Sequence, residues 1–192
     1  MSKLYRINEI FYSLQGEGAN VGTPAVFVRF SGCNLSCDFC DTDFASYTLM
    51  SAEQIVEAVT AFPARLVVLT GGEPSLQVDK VLIDALHAVN KFLAIETNGT
   101  KLLPQGIDFV TVSPKETGKL ALFKADEVKL VYQNQDVEKY LHCISATYYF
   151  LQPCSVFDGE KYVDNRADVI RYCLEHPQWR LSLQTHKILN IR

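Results

Sequence analysis

The chain has 192 residues, 48% of them apolar, a length and composition suited to one domain with a real core spanning residues 1–192. Its formal charge is −4 with no basic stripe, which argues against a nucleic-acid partner. It contains no apolar run of about 18 residues, and Met1-Ser2-Lys3-Leu4-Tyr5-Arg6 lacks the apolar stretch of a signal peptide, so a soluble, cytoplasmic protein with no membrane partner is expected. In that reducing compartment the six cysteines are not read as disulfides, and Cys143 and Cys173 read as small buried residues.

The first strand signal is Pro24–Phe30. Ser51 and Gln54 form a capping box ahead of an apolar stripe at Ile55, Val56, Val59 and Phe62. The run Leu66-Val67-Val68-Leu69 within Leu66–Thr70 fits a parallel strand covered on both faces. A second helical stripe follows at Val78, Val81, Leu82, Ala85, Leu86 and Val89, then strands at Phe92–Glu96 and Phe109–Val112. Leu103-Pro104 and Lys115–Lys124 show no helix signal. Strand Glu127–Val131 precedes a stripe at Val137, Tyr140, Leu141 and Ile144. After strand Tyr148–Gln152, Asp164 is placed to cap a fourth helix with Ala167, Ile170 and Leu174 inward and Pro177 beyond its end. Arg180–Gln184 is the last strand signal.

Alternating strands and helices indicate an α/β fold with a parallel sheet. A complete eight-stranded barrel takes about 250 residues, and the helices here are too few. The expectation is an incomplete, laterally open parallel (β/α) barrel of about six strands, with a doubly wound sheet as the alternative. Both gather ligands at the carboxyl ends of the strands.

The sharpest local signal lies at such an end. Cys33, Cys37 and Cys40 follow strand Pro24–Phe30 with the spacing C-x3-C-x2-C. Thiolates hold iron–sulfur clusters, and three of them leave one iron of a cubane without a protein ligand. An open metal position is where a substrate or cosubstrate binds. A zinc site or structural thiols are the alternatives. Zinc would need a fourth ligand, and the nearest histidine in sequence is His87.

The cysteine loop, with the aromatic Phe39 before the third cysteine, resembles the radical SAM superfamily. That resemblance implies a 4Fe–4S cluster on Cys33, Cys37 and Cys40. The amino and carboxylate groups of S-adenosylmethionine would chelate the open iron, and reductive cleavage would release a 5′-deoxyadenosyl radical. Thr70-Gly71-Gly72-Glu73-Pro74 follows the second strand, where glycines let backbone approach a ligand and Glu73 offers an acceptor for an ammonium. By the same resemblance Phe39, Gly72, Glu73, Ser113, Pro114, Lys115, Gln152, Pro153, Cys154 and Ser155 surround the cosubstrate. Cys154 and Ser155 depart from a Met-Asp pair seen in some members, so backbone contacts are expected there.

Four further segments narrow the family: Leu14-Gln15-Gly16-Glu17-Gly18, Arg29, Cys40-Asp41-Thr42 and Leu183-Gln184-Thr185-His186-Lys187. Together they resemble the 7-carboxy-7-deazaguanine synthase (QueE) family over nearly the whole chain. The resemblance implies a lyase that contracts the ring of 6-carboxy-5,6,7,8-tetrahydropterin to 7-carboxy-7-deazaguanine with loss of ammonia, in queuosine and 7-deazapurine biosynthesis. It also implies a homodimer, a magnesium ion, and flavodoxin or ferredoxin as reductant. Leu14, Gln15, Gly16, Glu17, Arg29, Asp41, Thr70, His186 and a carboxylate at Arg192 would meet the substrate, and Thr42 the magnesium.

The residue types suit those tasks. Arg29 interrupts an apolar strand, and its planar fork fits a carboxylate, although a structural ion pair would place it equally well. Gln15 and Glu17 carry acceptors for the amino and ring N–H groups of a pterin; a solvated glycine-rich loop is the plain alternative. Threonine oxygen with substrate oxygens and water is a habitual magnesium shell. A glycyl-radical activating enzyme shares the cysteine spacing but leaves Gln15, Glu17, Arg29 and Gln184–Lys187 unexplained. A zinc-stabilised or electron-carrying module is the non-catalytic alternative.

Overall fold

The computed structural model describes residues 3–40, 46–157 and 162–192. Asp41 and Thr42 lie outside the described residues. Strands β1 (Tyr5–Leu14), β2 (Pro24–Phe30), β3 (Thr48–Met50), β4 (Leu66–Gly71), β5 (Phe92–Thr97), β6 (Phe109–Val112), β7 (Glu127–Tyr132), β8 (Tyr148–Pro153) and β11 (Arg180–Leu181) form one open sheet. Their order is β11-β8-β7-β6-β5-β4-β2-β1-β3, and β9 (Ser155–Phe157) pairs only with β10 (Tyr162–Asp164). From β2 to β11 every neighbouring pair is parallel, while β1 runs antiparallel to both β2 and β3. This is the expected open, mostly parallel α/β sheet with few helices. It has seven parallel strands and an antiparallel extension that the sequence did not announce.

Two apolar layers cover the outer face. Helices α1 (Ala52–Thr60) and α2 (Lys80–Ala88) set Ile55, Val59, Leu82, Ile83 and Leu86 against Val26, Val28, Val67, Leu69, Leu93 and Ile95. The capping box of Ser51 and Gln54 starts α1 as expected. Helices α3 (Glu138–Cys143) and α4 (Arg166–Glu175) place Tyr140 and Val169, beside Trp179, on Val128, Leu130 and Leu151. A short α5 (Thr185–Leu189) follows the last strand.

The inner face changes character along the strands. Its lower part is an apolar plug of Phe11, Ala25, Phe27, Leu66, Val68 and Ala94. Side chains alternate faces along a strand, so two residues beyond Phe27, Val68 and Ala94 the same face carries Arg29, Thr70 and Glu96. These line a cavity at the carboxyl ends of the strands.

A bulge makes β1 part of that wall. Ile7 pairs with Phe30 but Glu9 pairs with Arg29, so Asn8 is an extra residue. A single insertion switches every later side chain to the other face. Tyr5 and Ile7 therefore join the outer core, whereas Phe11, of the same parity in sequence, joins the inner plug. The interrupted alternation explains why β1 left no strand signal.

Three expectations about helix faces and ends are corrected. Val81 is 64% exposed; Leu82 and Leu86 of the expected stripe are buried, and Ile83 rather than Val81 joins them. Ala167, Ile170 and Leu174 point outward, Leu174 at 80% exposure, because aromatic packing selects another face of α4. Tyr172 lies 5.5 Å from the Tyr132 ring, and Val169 and Cys173 turn inward with it. Asp164 stands one residue before the N-cap position, yet its carboxylate accepts from Arg166 N, the first helical N–H, at 3.0 Å. Asn165 is the capping residue, and its side chain is occupied by Cys154 N–H and Tyr132 C=O. Of Arg180–Gln184 only Arg180 and Leu181 form strand; Ser182 N still donates to Leu151 O at 2.8 Å, and its buried side chain accepts from Gly18 N.

The α2 correction predicts a contrast. Leu82→Ala should lower the unfolding free energy by about 2–5 kcal/mol, while Val81→Ala should stay within about 0.5 kcal/mol of the parent. Urea denaturation of both variants measures it, and equal losses would refute this helix register.

Candidate active site

A cavity of about 440 Å³ opens at the carboxyl ends of the parallel strands. The cysteine loop forms one wall, and Cys33, Cys37 and Cys40 all line it. The loop folds locally through Cys40 N donating to Cys37 O at 3.1 Å and Leu35 N to the Cys33 thiol at 3.4 Å. It is laced to the turn after β4: Gly72 N donates to Phe30 O and Glu73 N to Gly32 O. A Cβ on Gly72 would stand 2.1 Å from the Gly32 carbonyl oxygen, so only glycine permits this approach.

Burial pushes the Cys37 thiol up, Lys115 opposes this, and the neighbouring Cys40 and Cys33 add to it. Burial pushes the Lys115 amine down. Lys115 Nζ stands 5.9 Å from the Phe39 ring centre and donates to the Ser113 hydroxyl and carbonyl. Three thiols facing one cavity fit a cationic multi-iron group that takes its ligands as thiolates.

The facing wall is polar and tightly cross-linked. Glu17 accepts from Lys129 at 2.5 Å, from Gln184 at 2.8 Å and from Gln152 at 3.1 Å. Glu96 accepts from Gln15 at 3.1 Å, Lys129 at 3.2 Å and Thr70 at 3.3 Å. Burial alone would raise the Glu17 carboxyl, but Lys129, Gln184 and His186 bring it down to about 2. Burial likewise works against the Lys129 charge, yet Glu17, Glu96 and Glu127 together hold that amine above its ordinary value. Glu127, beneath them, is pushed up by burial while accepting from Ala19 N at 2.7 Å. His186 packs against Gly16, where a Cβ would stand 2.2 Å from its Nδ1.

The third side is cationic. Arg29 Nε meets Glu9 at 2.9 Å, and Arg192 reaches the other oxygen of the same carboxylate. Both guanidiniums lie over Phe11, which stacks on Phe27 with ring centres 4.9 Å apart. The partner expected for Arg29 is thus partly supplied within the chain, and two cations share one anion.

Leu14, Gln15, Gly16, Glu17, Arg29, Thr70, His186 and Arg192 all line this cavity, as do Phe39, Gly72, Ser113, Lys115, Gln152, Pro153 and Cys154. Glu73 does not. It is fully buried behind the wall, accepting from Thr97 Oγ1, Asn98 N and Ser75 N, and so it locks the ends of β4 and β5 rather than facing a ligand. Pro114 is not among the lining residues. Glu9, Glu96, Lys129, Ser182 and the Phe11–Phe27 stack were missed from sequence. Ionisable residues inside the apolar runs Phe92–Thr97 and Glu127–Tyr132 were the available signal for Glu96 and Lys129.

Residues 27–145 match the model of the Radical SAM superfamily. The 7-carboxy-7-deazaguanine synthase of Bacteroides thetaiotaomicron is 54% identical over 187 residues, covering 97% of this chain and 98% of that one. The chain belongs to the 7-carboxy-7-deazaguanine synthase family. The family member from Nitratidesulfovibrio vulgaris is 45% identical over 97% of this chain and 99% of its own. The crystal structure of QueE from Escherichia coli superposes with a TM-score of 0.77 at 30% identity, covering 94% of this chain and 93% of that one. The family's radical SAM membership agrees with the thiol-lined wall described above.

The lowered Glu17 carboxyl has a consequence for acid stability. Its ion pair contributes fully above its unfolded value near 4.5 and is lost as pH falls toward about 2. Glu17→Gln should therefore flatten the decline in unfolding free energy across that window. Urea unfolding at several acidic pH values tests this; an unchanged slope would remove Glu17 as its source.

Proposed function

We propose that this chain is a 7-carboxy-7-deazaguanine synthase, a lyase that converts 6-carboxy-5,6,7,8-tetrahydropterin to 7-carboxy-7-deazaguanine with release of ammonia. The observation carrying this reading is a single cavity with three thiols on one wall and a cationic corner and anionic acceptors on the others. When bound, the reduced 4Fe–4S cluster on Cys33, Cys37 and Cys40 and its S-adenosylmethionine supply the one-electron chemistry that removes a hydrogen atom from C6 of the pterin.

The chain's own residues bind and orient. Among the described residues Arg29 and Arg192 both pair with Glu9, and these guanidiniums are the groups placed to meet the substrate carboxylate. The Phe11–Phe27 stack gives the bicyclic ring an apolar floor. Gln15 and Glu17, with the backbone of Leu14 and Gly16, read the amino and ring N–H edge, and Thr70 and His186 flank it. Phe39, Gly72, Ser113, Lys115, Gln152, Pro153 and the backbone of Cys154 and Ser155 surround S-adenosylmethionine. Thr42, with Asp41 beside it, holds magnesium, which neutralises the carboxylate and steadies the ring. The enzyme works as a homodimer in the cytoplasm, reduced by flavodoxin or ferredoxin, in the pathway to queuosine and other 7-deazapurines.

Anaerobic reconstitution should give a brown protein with about four irons per chain. With reductant and S-adenosylmethionine it should form product and ammonia in equal amounts, more slowly without magnesium. Cys37→Ala should lose both cluster and turnover. A colourless protein with one zinc, or no pterin turnover by loaded enzyme, would overturn the proposal. Arg29→Ala should raise KM roughly tenfold to a hundredfold, the worth of a charged hydrogen bond at about 1.5–3 kcal/mol. An unchanged KM would remove Arg29 from the carboxylate site.

A further inference from the structure

Resting on that function, we infer that Lys129 is a positioning residue that fixes Glu17 and Glu96 as a paired hydrogen-bond acceptor for the N–H edge of the pterin. The two carboxylates come from different elements, Glu17 from the loop after β1 and Glu96 from the end of β5. Lys129 Nζ bridges them at 2.5 and 3.2 Å from the middle of β7.

Each carboxylate has about four acceptor positions, and among the described hydrogen bonds each accepts three from the chain. About one position on each is therefore left for a ligand, and Glu17 and Glu96 both line the cavity. A pair of acceptors matches a pair of donors such as the amino and adjacent ring N–H of a 2-aminopyrimidinone.

That pattern survives only while neither carboxyl carries a proton. Two carboxylates sharing one small site do not both stay ionised without a cation between them; one takes up a proton and becomes a donor that clashes with the ligand's N–H. Glu127 lies below on the same strand, adding a third carboxyl, while His186 faces Glu17 and Lys115 stands farther along the wall. Lys129 is the cation in hydrogen-bond contact with both acceptors.

The test measures binding of 6-carboxy-5,6,7,8-tetrahydropterin to cluster-loaded enzyme with S-adenosylmethionine and no reductant, from about pH 6 to about pH 9. Wild type should bind with a Kd nearly independent of pH. Lys129→Met should bind about 30-fold more weakly at the acid end and recover as pH rises, because the proton trapped between Glu17 and Glu96 is then released. Lys129→Arg should keep the flat profile.

Combining Lys129→Met with Glu96→Gln removes one buried charge of each sign and the repulsion with it. This double variant should restore the flat profile, with a Kd within about tenfold of wild type. It also decides the matter if Lys129→Met alone does not fold. A pH-independent weakening in Lys129→Met, or a folded double variant that remains pH-dependent or does not bind, would overturn the role of Lys129. Failure of wild type to bind the pterin would instead overturn the proposed function.

Discussion

The buried ion pair between Glu17 and Lys129 holds the open barrel together across its mouth. The sheet is not closed, so nothing in its strand pairing joins the β1 side to the β7–β8–β11 side. The loop after β1 makes that span with polar bonds: Glu17 to Lys129, Gln152 and Gln184, Gly18 N to Ser182, Ala19 N to Glu127, and Thr185 to the Gly16 carbonyl. Burying a charge is costly unless it is paired and its remaining hydrogen bonds are made. Here both conditions are met, and the same bonds that fasten the loop also build the ligand wall.

Stability and chemistry are divided along the length of each strand. The outer face and the β1–β5 part of the lower inner face are apolar and supply the burial that holds the sheet. Polar inward side chains gather toward the carboxyl ends of the parallel strands at Arg29, Thr70, Glu96, Lys129 and Gln152, with Glu127 and Thr111 lower on the same face. The glycine-lined approach of the turn after β4 brings the cysteine loop to the same edge. Glu73 completes the arrangement from behind by tying that turn to the end of β5.

The legible part of this protein was what a short window of residues can specify. All seven parallel strands left a strand signal, several as near-continuous apolar runs that record burial on both faces, and the C-x3-C-x2-C loop stood out because its spacing is local. The α4 face was misread because several apolar residues offer competing stripes, and packing against Tyr132 and Trp179 decided among them. Glu73 looked like a ligand acceptor because its motif sits at a strand end; only three-dimensional packing shows its oxygens taken by Thr97, Asn98 and Ser75.

What the sequence determined by itself was the order of the seven parallel strands and of helices α1–α4, the thiol loop, and the family to which its motifs point, all fixed by residue type and near spacing. Tertiary structure alone decided that Asn8 is a bulge turning Glu9 and Phe11 inward, and that Glu9 is shared by Arg29 and Arg192. It alone decided that Lys129 stands between Glu17 and Glu96, partners 112 and 33 residues away in the chain. Such pairings depend on strand register and on which face a side chain takes, and both are set when distant segments pack together.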